Sequence, residues 1–477
     1  MDRKKWEVSD ILEIGSKKTE NLIWGFPFIL IIMSTITAIS TPLGSGGIGI
    51  IRMSGEDALN IASKVFSTKK LDSFLSATPN YMYLGNINAE SFIEKCFAVY
   101  FKAPHSYTGE DIVEFQCHGG VTLINKILDL LVDNGAVLAD RGEFTKRAFI
   151  NGKMALADCE GVIEMINADS EASLNAGYRL MEGNLTKEVV SLQDKLTDVI
   201  ARIEASLDYP EELEEEVEEY SREHIAVIEN DITSLVKSYT YGRMVKEGVR
   251  VALCGKTNVG KSSLLNAFLN RERAIVTDIA GTTRDIIEES VEHNGMKIVF
   301  TDTAGIRNSA DVVEQVGIEM AKSEVQSADI VLYVVDATDS EKDCDLEEIL
   351  KGKKVIKIIN KIDIDLDKYS KNSNDDVIYI SCKKRINIDK VLDKIVQMVS
   401  SGKVTTGGES IILKRHYLAL KEAKESIDIV NSKYDELDNC IRLMELKNAW
   451  DKLGYITGTT ATEDIIDAIF TKFCLGK

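Results

Sequence analysis

The pattern that most constrains this chain is GKTNVGKS, Gly255 to Ser262, which fits G-x-x-x-x-G-K-[ST]. It follows the Val-rich run VRVALC and opens the amphipathic run KSSLLNAFL, so the glycine-rich turn is predicted between a strand and a helix. There the backbone N–H groups can converge on phosphate oxygens, and the helix N-terminus adds positive potential. Lys261 is placed to bridge the β- and γ-phosphates and Ser262 to hold Mg2+. The surroundings agree. Between Lys246 and about Val399, apolar runs rich in Val and Ile (VRVALCG, KIVFTDTAG, DIVLYVVDA, KVIKIINK, VIYISCK) alternate with helical patterns. That alternation predicts a mostly parallel sheet covered on both faces. HNGM, His293 to Met296, predicts a hairpin turn that adds one antiparallel pair at the sheet edge.

Further elements fall in the order that a guanine-nucleotide site requires. Asp302-Thr303-Ala304-Gly305 ends a predicted strand where a metal-bridging carboxylate and a γ-phosphate-sensing N–H belong. NKID, Asn360 to Asp363 with Lys361 inside it, ends a later one. A carboxylate at Asp363 accepts both N1–H and the exocyclic amine of guanine. Adenine would leave that carboxylate unpaired, an omission that discriminates by orders of magnitude. Ser381-Cys382-Lys383 matches a loop that supports the base, and Thr283 in GTTRD is a candidate second Mg2+ ligand. Together these elements predict GTP binding. One group does not fit the common pattern: many signalling GTPases carry a water-orienting glutamine after the DTAG glycine, and this chain has Ile306.

Composition sets limits on the rest. A chain of 477 residues, 44% hydrophobic and 28% charged, is globular and long enough for several domains. Its net charge of -20 repels a phosphate backbone, so any RNA must be gripped by a local patch or by a partner. The eight cysteines are scattered with no CxxC pair, which argues against structural zinc and disulfides and fits a reducing, cytoplasmic setting. CHGG, Cys117 to Gly120, reads as a turn rather than a metal site. Near the start, lysines precede an apolar run, Leu22 to Met33, that is short for a membrane span and holds Gly25 and Pro27. Residues 1–32 read as an extension upstream of a functional start at Met33 rather than as an anchor, so no stable membrane association is expected.

Residues 33–151 mix strand-like runs with amphipathic helices, and 152–245 read almost wholly as helix. The P-loop unit takes 246–402, and after the linker SSGKVTTGGES the pattern over 403–477 is helical again. The expected fold is α/β plus all-α: a P-loop domain inserted in a discontinuous helical domain, preceded by an α+β domain. EELEEEVEEY, Glu211 to Tyr220, reads as a solvated helix face. GSGGIG, Gly44 to Gly49, matches the dinucleotide pattern G-x-G-x-x-G, but the strand-like IIRMSG follows it where that fingerprint needs a helix.

From Met33 to Lys477 the chain resembles the MnmE (TrmE) family of bacterial tRNA-modification GTPases. The blocks that carry the resemblance are TITAISTPLGSGGIGIIRMSG, FKAPHSYTGEDIVEFQCHGG, RGEFTKRAFINGKMALADCEG, the inserted P-loop domain and the terminal FCLGK. The P-loop is shared by many families; the first block and the ending are specific to this one. The resemblance implies a replacement for the glutamine: a potassium ion held by Asn258, by the backbone carbonyls of Thr277 and Ile279, and by Thr282. Such a cation neutralises developing charge as an arginine finger does. Glu314 is implied as the acid that orients the attacking water through a second water. GTP contacts extend by the same resemblance to Val259, Gly260, Ser263, Asp278, Ala280 and Gly281, with two GTPase domains of a homodimer facing each other.

The resemblance also implies a pocket at a dimer interface for 5-formyl- or 5,10-methylene-tetrahydrofolate, contacted by Arg52, Glu114, Lys153 and Lys477. Cations there can meet glutamyl carboxylates, and Glu114 can accept from pterin N–H groups. Cys474 reads either as a reactive thiol near that pocket or as a small buried hydrophobe, and the resemblance favours the thiol. An MnmG-like flavoprotein is the implied partner, in a heterotetramer that builds carboxymethylaminomethyl or aminomethyl groups at C5 of the wobble uridine of tRNA. Two rival classes are a ribosome-assembly GTPase and a membrane-tethered GTPase. The first would need a basic RNA-binding domain where this chain has helices and FCLGK; the second would need Leu22–Met33 as its tether.

Overall fold

The computed structural model describes residues 34–208, 210–270, 289–301, 324–338, 350–369, 377–400 and 411–477. They form two compact units, one reaching to Lys153 and including Thr462–Lys477, the other Met154–Ala461.

The first unit is built on a seven-stranded sheet in the order β3-β4-β5-β6-β2-β1-β7. The strands are β1 Ile36–Ile39, β2 Gly46–Ser54, β3 Phe66–Ser67, β4 Met82–Asn88, β5 Ile93–Phe101, β6 Ile112–Gly119 and β7 Val137–Leu138. Side chains alternate across it. Ile51 and Met53 of β2 and Val113, Phe115 and Cys117 of β6 share a core with helices α1 Ala58–Val65 and α2 Val121–Asp133. Arg52, Glu114 and His118 fall on the opposite face. GSGGIG feeds β2, which runs on to Ser54 with a register irregularity between Gly46 and Gly49, so all its glycines but Gly44 belong to a strand. CHGG is not the turn expected: Cys117–Gly119 close β6 and Gly120 caps α2. Among the described residues no group of three or more His, Cys, Asp or Glu could hold a metal.

Helix α3, Glu143–Ile150, receives the C-terminal helix Glu463–Phe470. Lys146 pairs with Asp467 at 2.6 Å, and the Phe149 and Phe470 rings lie 6.4 Å apart. Gly142 has φ 69°, and a Cβ on it would meet the Phe470 carbonyl oxygen at 2.8 Å, so the approach requires glycine. The helical segment expected over 403–477 therefore divides between the two units.

The second unit holds two main cores. One bundle packs α4 Leu156–Ile166, α5 Glu171–Met181, α6 Asn184–Asp208 and α7 Pro210–Glu247 with helices from the far side of the sheet domain in sequence. The sheet domain has the order β13-β12-β11-β8-β10-β9. Its strands are β8 Val249–Cys254, β9 Glu289–His293, β10 Met296–Phe300, β11 Ile330–Asp336, β12 Lys354–Asn360 and β13 Val377–Tyr379. Helices α8 Lys261–Leu269 and α9 Ile388–Ser400 pack on them in one core. All described pairings are parallel except β9–β10. That hairpin turns on Asn294 and Gly295, with φ 49° and 78°, as the Asn-Gly pair predicts.

The bundle is completed by α10 Lys414–Ser432 and α11 Asn439–Thr457, whose Leu420, Ile427 and Leu446 share a core with Leu196, Ile203 and Ile232. Glu160 of α4 is buried against Arg415 and His416 of α10, with His416 Nε2 2.7 Å from its Oε2 and Arg415 Nε 3.0 Å from its Oε1. Burial alone would raise the Glu160 carboxyl, but His416 and Arg415 hold it down at about 2. Among the described residues no helix is long and apolar enough to cross a membrane. Leu22–Met33 lies outside them.

Candidate nucleotide site

Strand β8 delivers the chain into Gly255, whose φ of 145° and close approach to the Val334 carbonyl of β11 leave no room for a Cβ. Asn258 and Gly260 also have left-handed φ, 61° and 100°, so the segment curls tightly before α8 begins. Gly260 caps that helix, and Ser262 and Ser263 stand exposed in its first turn, where unpaired N–H groups favour an anion. Lys261 arches back over the loop. Its Nζ donates to the carbonyl oxygens of Gly255 at 2.6 Å and Lys256 at 2.9 Å. Burial pulls its pKa down, with Cys254 opposing weakly. A phosphate would offer this partly buried ammonium the negative charge that carbonyl dipoles supply only in part.

Asn360, the last residue of β12 and 2% exposed, joins three loops. Its Nδ2 donates to the Val259 carbonyl at 2.9 Å, while its Oδ1 accepts from Lys361 N at 2.8 Å and Cys382 N at 3.2 Å. Ser381 Oγ donates to Asp363 Oδ1 at 2.6 Å and accepts from Lys384 N at 3.1 Å. The Ser381 bond holds the Asp363 carboxyl below the usual carboxylate range, so it is an acceptor at neutral pH, as guanine recognition needs. Lys383 is exposed beside it.

The phosphate loop, Asn360, Lys361, Asp363, Ser381 and Cys382 thus meet at the carboxyl ends of parallel strands, where open α/β sheets bind ligands. One participant carries no motif. Asp336 closes β11 in register with Asn360 and takes Lys361 Nζ on its Oδ2 at 2.5 Å. Its signal in the sequence was only its place at the end of an apolar run. Thr277, Asp278, Ile279, Ala280, Gly281, Thr282, Thr283, Asp302, Thr303, Ala304, Gly305 and Glu314 lie outside the described residues.

In the first unit Arg52 and Glu114 are cross-strand partners of β2 and β6, with Nε 2.7 Å from Oε1 and side chains 19% and 15% exposed. The guanidinium lies 5.7 Å from the Tyr107 ring centre and 5.6 Å from that of Phe144. Lys153 Nζ donates to the Pro104 carbonyl at 3.0 Å. Near the end of the chain, Gly476 packs on Ile39 and Ser40 at the end of β1, and Ser40 Oγ donates to its carbonyl at 3.3 Å. Cys474 is exposed, and its carbonyl accepts from Gly142 N at 3.4 Å. The fold brings Arg52 and Glu114 into contact; Lys153 and Lys477 do not join them in any described hydrogen bond or ion pair.

The family model for the MnmE helical domain matches residues 156–474, and the model for the GTP-binding protein TrmE N-terminus matches residues 35–153. The chain belongs to the MnmE (TrmE) family. The tRNA modification GTPase MnmE of Clostridioides difficile (strain 630) is 40% identical over 461 residues, which cover 94% of this chain and 100% of that protein. That of Ligilactobacillus salivarius (strain UCC118) is 38% identical over 456 residues, covering 93% and 98%. The solved G domain of the T. maritima FeoB iron transporter aligns with 31% of this chain and 97% of its own at 25% identity, with a TM-score of 0.23, too loose to inform the site. The N-terminus model falls within the first unit, whereas the helical-domain model spans the bundle and the sheet domain and runs on into the C-terminal helix of the first unit.

Proposed function

We propose that this chain binds and hydrolyses GTP as an enzyme component of tRNA modification. The observation that carries the reading is Asn360, whose side chain ties the phosphate loop to the base-reading loops in a chain related along its length to tRNA modification GTPases. On binding, Lys261 exchanges its carbonyl partners for the β- and γ-phosphates, and Asp363 takes the guanine edge. Ser262 and Thr283 hold Mg2+. Asn258, Thr277, Ile279 and Thr282 hold K+; of these only Asn258 is among the described residues, in a left-handed turn of the phosphate loop. When bound, these cations neutralise charge that develops on the transferred phosphoryl group. Glu314 orients the water, the task left open by Ile306.

Hydrolysis in a homodimer is coupled, on this proposal, to an MnmG-like flavoprotein that joins it to form carboxymethylaminomethyl or aminomethyl groups at C5 of the wobble uridine. Tetrahydrofolate supplies the carbon and is held by Arg52, Glu114, Lys153 and Lys477, near Cys474. The residues fit such a guest: the Arg52–Glu114 pair is largely but not wholly desolvated, and each member can re-pair with a polar heterocycle without leaving a buried charge alone.

GTP turnover in potassium against sodium buffer, at several protein concentrations, tests the proposal. Turnover per chain is expected to be faster in potassium and to rise with concentration. Indifference to both would overturn the paired, cation-assisted mechanism, and no turnover in either would overturn the hydrolase reading itself.

A further inference from the structure

Cys96 of β5 and Cys117 of β6 lie in the core of the first unit, 2% and 4% exposed. The β5–β6 register runs to the pair Phe97–Gln116, and one step further it sets Cys96 opposite Cys117. Both point to the core face, and the two thiols hydrogen-bond to each other. Their partners on the flanking strands are glycines, Gly85 of β4 beside Cys96 and Gly49 of β2 beside Cys117. A Cβ at Gly85 would collide with the Phe66 ring, and one at Gly49 with the Ile124 side chain. In this row across four strands only the two cysteines carry side chains, so each thiol has only the other beside it. Directly opposite residues of antiparallel strands have Cα atoms about 4.5–5.5 Å apart, inside the range of about 4.4–6.8 Å that a disulfide spans. The bond to Cys117, and then burial, hold the Cys96 thiol far above its ordinary range, so the pair is inert while the strand ends stay closed. Just beyond it Glu94 of β5 clasps β6: its Oε1 accepts from His118 N at 3.0 Å and lies 2.7 Å from His118 Nδ1, with the imidazole at the surface.

We propose that Cys96 and Cys117 are a redox modification site: opening of the Glu94–His118 clasp admits a low-molecular-weight disulfide, such as oxidised glutathione, and the pair forms a reversible cross-strand disulfide. In the opened end one cysteine loses its proton, and its thiolate attacks the oxidant. A mixed disulfide forms and one glutathione thiolate leaves. The second cysteine, deprotonated in turn, attacks the protein sulfur of that mixed disulfide and expels the second glutathione thiolate. Two protein thiols are oxidised, one glutathione disulfide is reduced to two thiols, and the two protons pass from the cysteines to the leaving groups. In a reducing setting such a bond is transient, made under oxidation and undone by thiols. The proposal does not depend on the nucleotide reading, because both cysteines belong to the first unit.

The test is incubation of the folded full chain with oxidised glutathione at neutral pH, followed by acid quench, alkylation of the remaining thiols and digestion without reductant. Mass spectrometry then maps every cysteine. Exposed Cys440 and Cys474 serve as internal references that take up glutathione first. The expected product is a peptide pair joined through Cys96 and Cys117, two hydrogens lighter than the free peptides and lost on reduction. It should form more slowly than the adduct on Cys440, and roughly fivefold faster in His118→Ala, as for one hydrogen bond lost from the closed end. Three results would overturn the pair: glutathione on either thiol with no bond between them, both thiols free after Cys440 and Cys474 have reacted in full, or Cys96 joined in preference to another cysteine. An unchanged rate in His118→Ala would overturn the route through the clasp. The map is read on the wild type, so the pair is decided without a variant; if His118→Ala does not fold, the rate in Glu94→Gln decides the route in the same way.

Discussion

Replacing Asn360 with alanine separates the three loops that one amide holds. The change removes the donor to the Val259 carbonyl and the acceptor shared by the Lys361 and Cys382 amides, all at a position that is 2% exposed. At about 1 kcal/mol net for each of the three bonds, the frame loses about 3 kcal/mol. The loosened groups belong to the phosphate loop and the base-reading loops, so the loss falls on the cost of ordering them around a nucleotide. With a factor of ten for every 1.4 kcal/mol, GDP affinity is expected to fall roughly a hundredfold. Titration of GDP into the Asn360→Ala chain reads this directly, and urea unfolding of the nucleotide-free chain reports any part spent on global stability. An affinity within about threefold of wild type, with unchanged unfolding, would refute the reasoning. It would mean that the loops hold their arrangement without that side chain.

Two other outcomes are expected, the first from the family resemblance and the second from a carboxylate buried in the bundle. Glu314→Ala is expected to abolish potassium-stimulated GTP turnover while GDP and GTP still bind; wild-type turnover in that variant excludes Glu314 as the water-orienting acid. The buried Glu160 carboxyl, held at about 2 against an ordinary value of about 4.3, makes the bundle acid-sensitive. A carboxylate whose folded pKa is depressed stabilises above the unfolded value and loses that stabilisation as pH falls through about 4 toward 2. Burial also pulls the His416 imidazole below its ordinary range, so Arg415 supplies the charge that pairs with Glu160 at pH 7, and the contribution is at most about 3 kcal/mol. The stability gap between wild type and Glu160→Gln should therefore be wide at pH 7 and narrow steadily below pH 4. Urea unfolding followed by the fluorescence of Trp450, which packs on the bundle core, measures it, and an equal gap at pH 7 and pH 3 would refute the assignment.

The turns that frame the candidate nucleotide site, among the described residues, were legible in the sequence because their chemistry is local. The turn at Gly255–Ser262 needs glycines and a lysine at fixed spacing, NKID carries its carboxylate within four residues, and Asn294-Gly295 can hardly do anything but reverse a hairpin. Alternating apolar runs likewise predicted the parallel sheet, and helical patterns on both flanks predicted one bundle. Backbone preference and side-chain period act over a few residues and leave their mark in the order of the letters. What only the tertiary structure decided was pairing across long intervals. Arg52 meets Glu114 because the β2–β6 register sets them opposite, and a slip of one residue would part them. Asp336 meets Lys361 because two parallel strands end level, and no motif marks the aspartate. The helix Glu463–Phe470 has the same amphipathic pattern as a bundle helix, yet it docks on α3 because Gly142 lets the backbones approach. Such contacts depend on which surfaces fit once the chain has collapsed, and a pattern of neighbours in sequence holds no record of that fit.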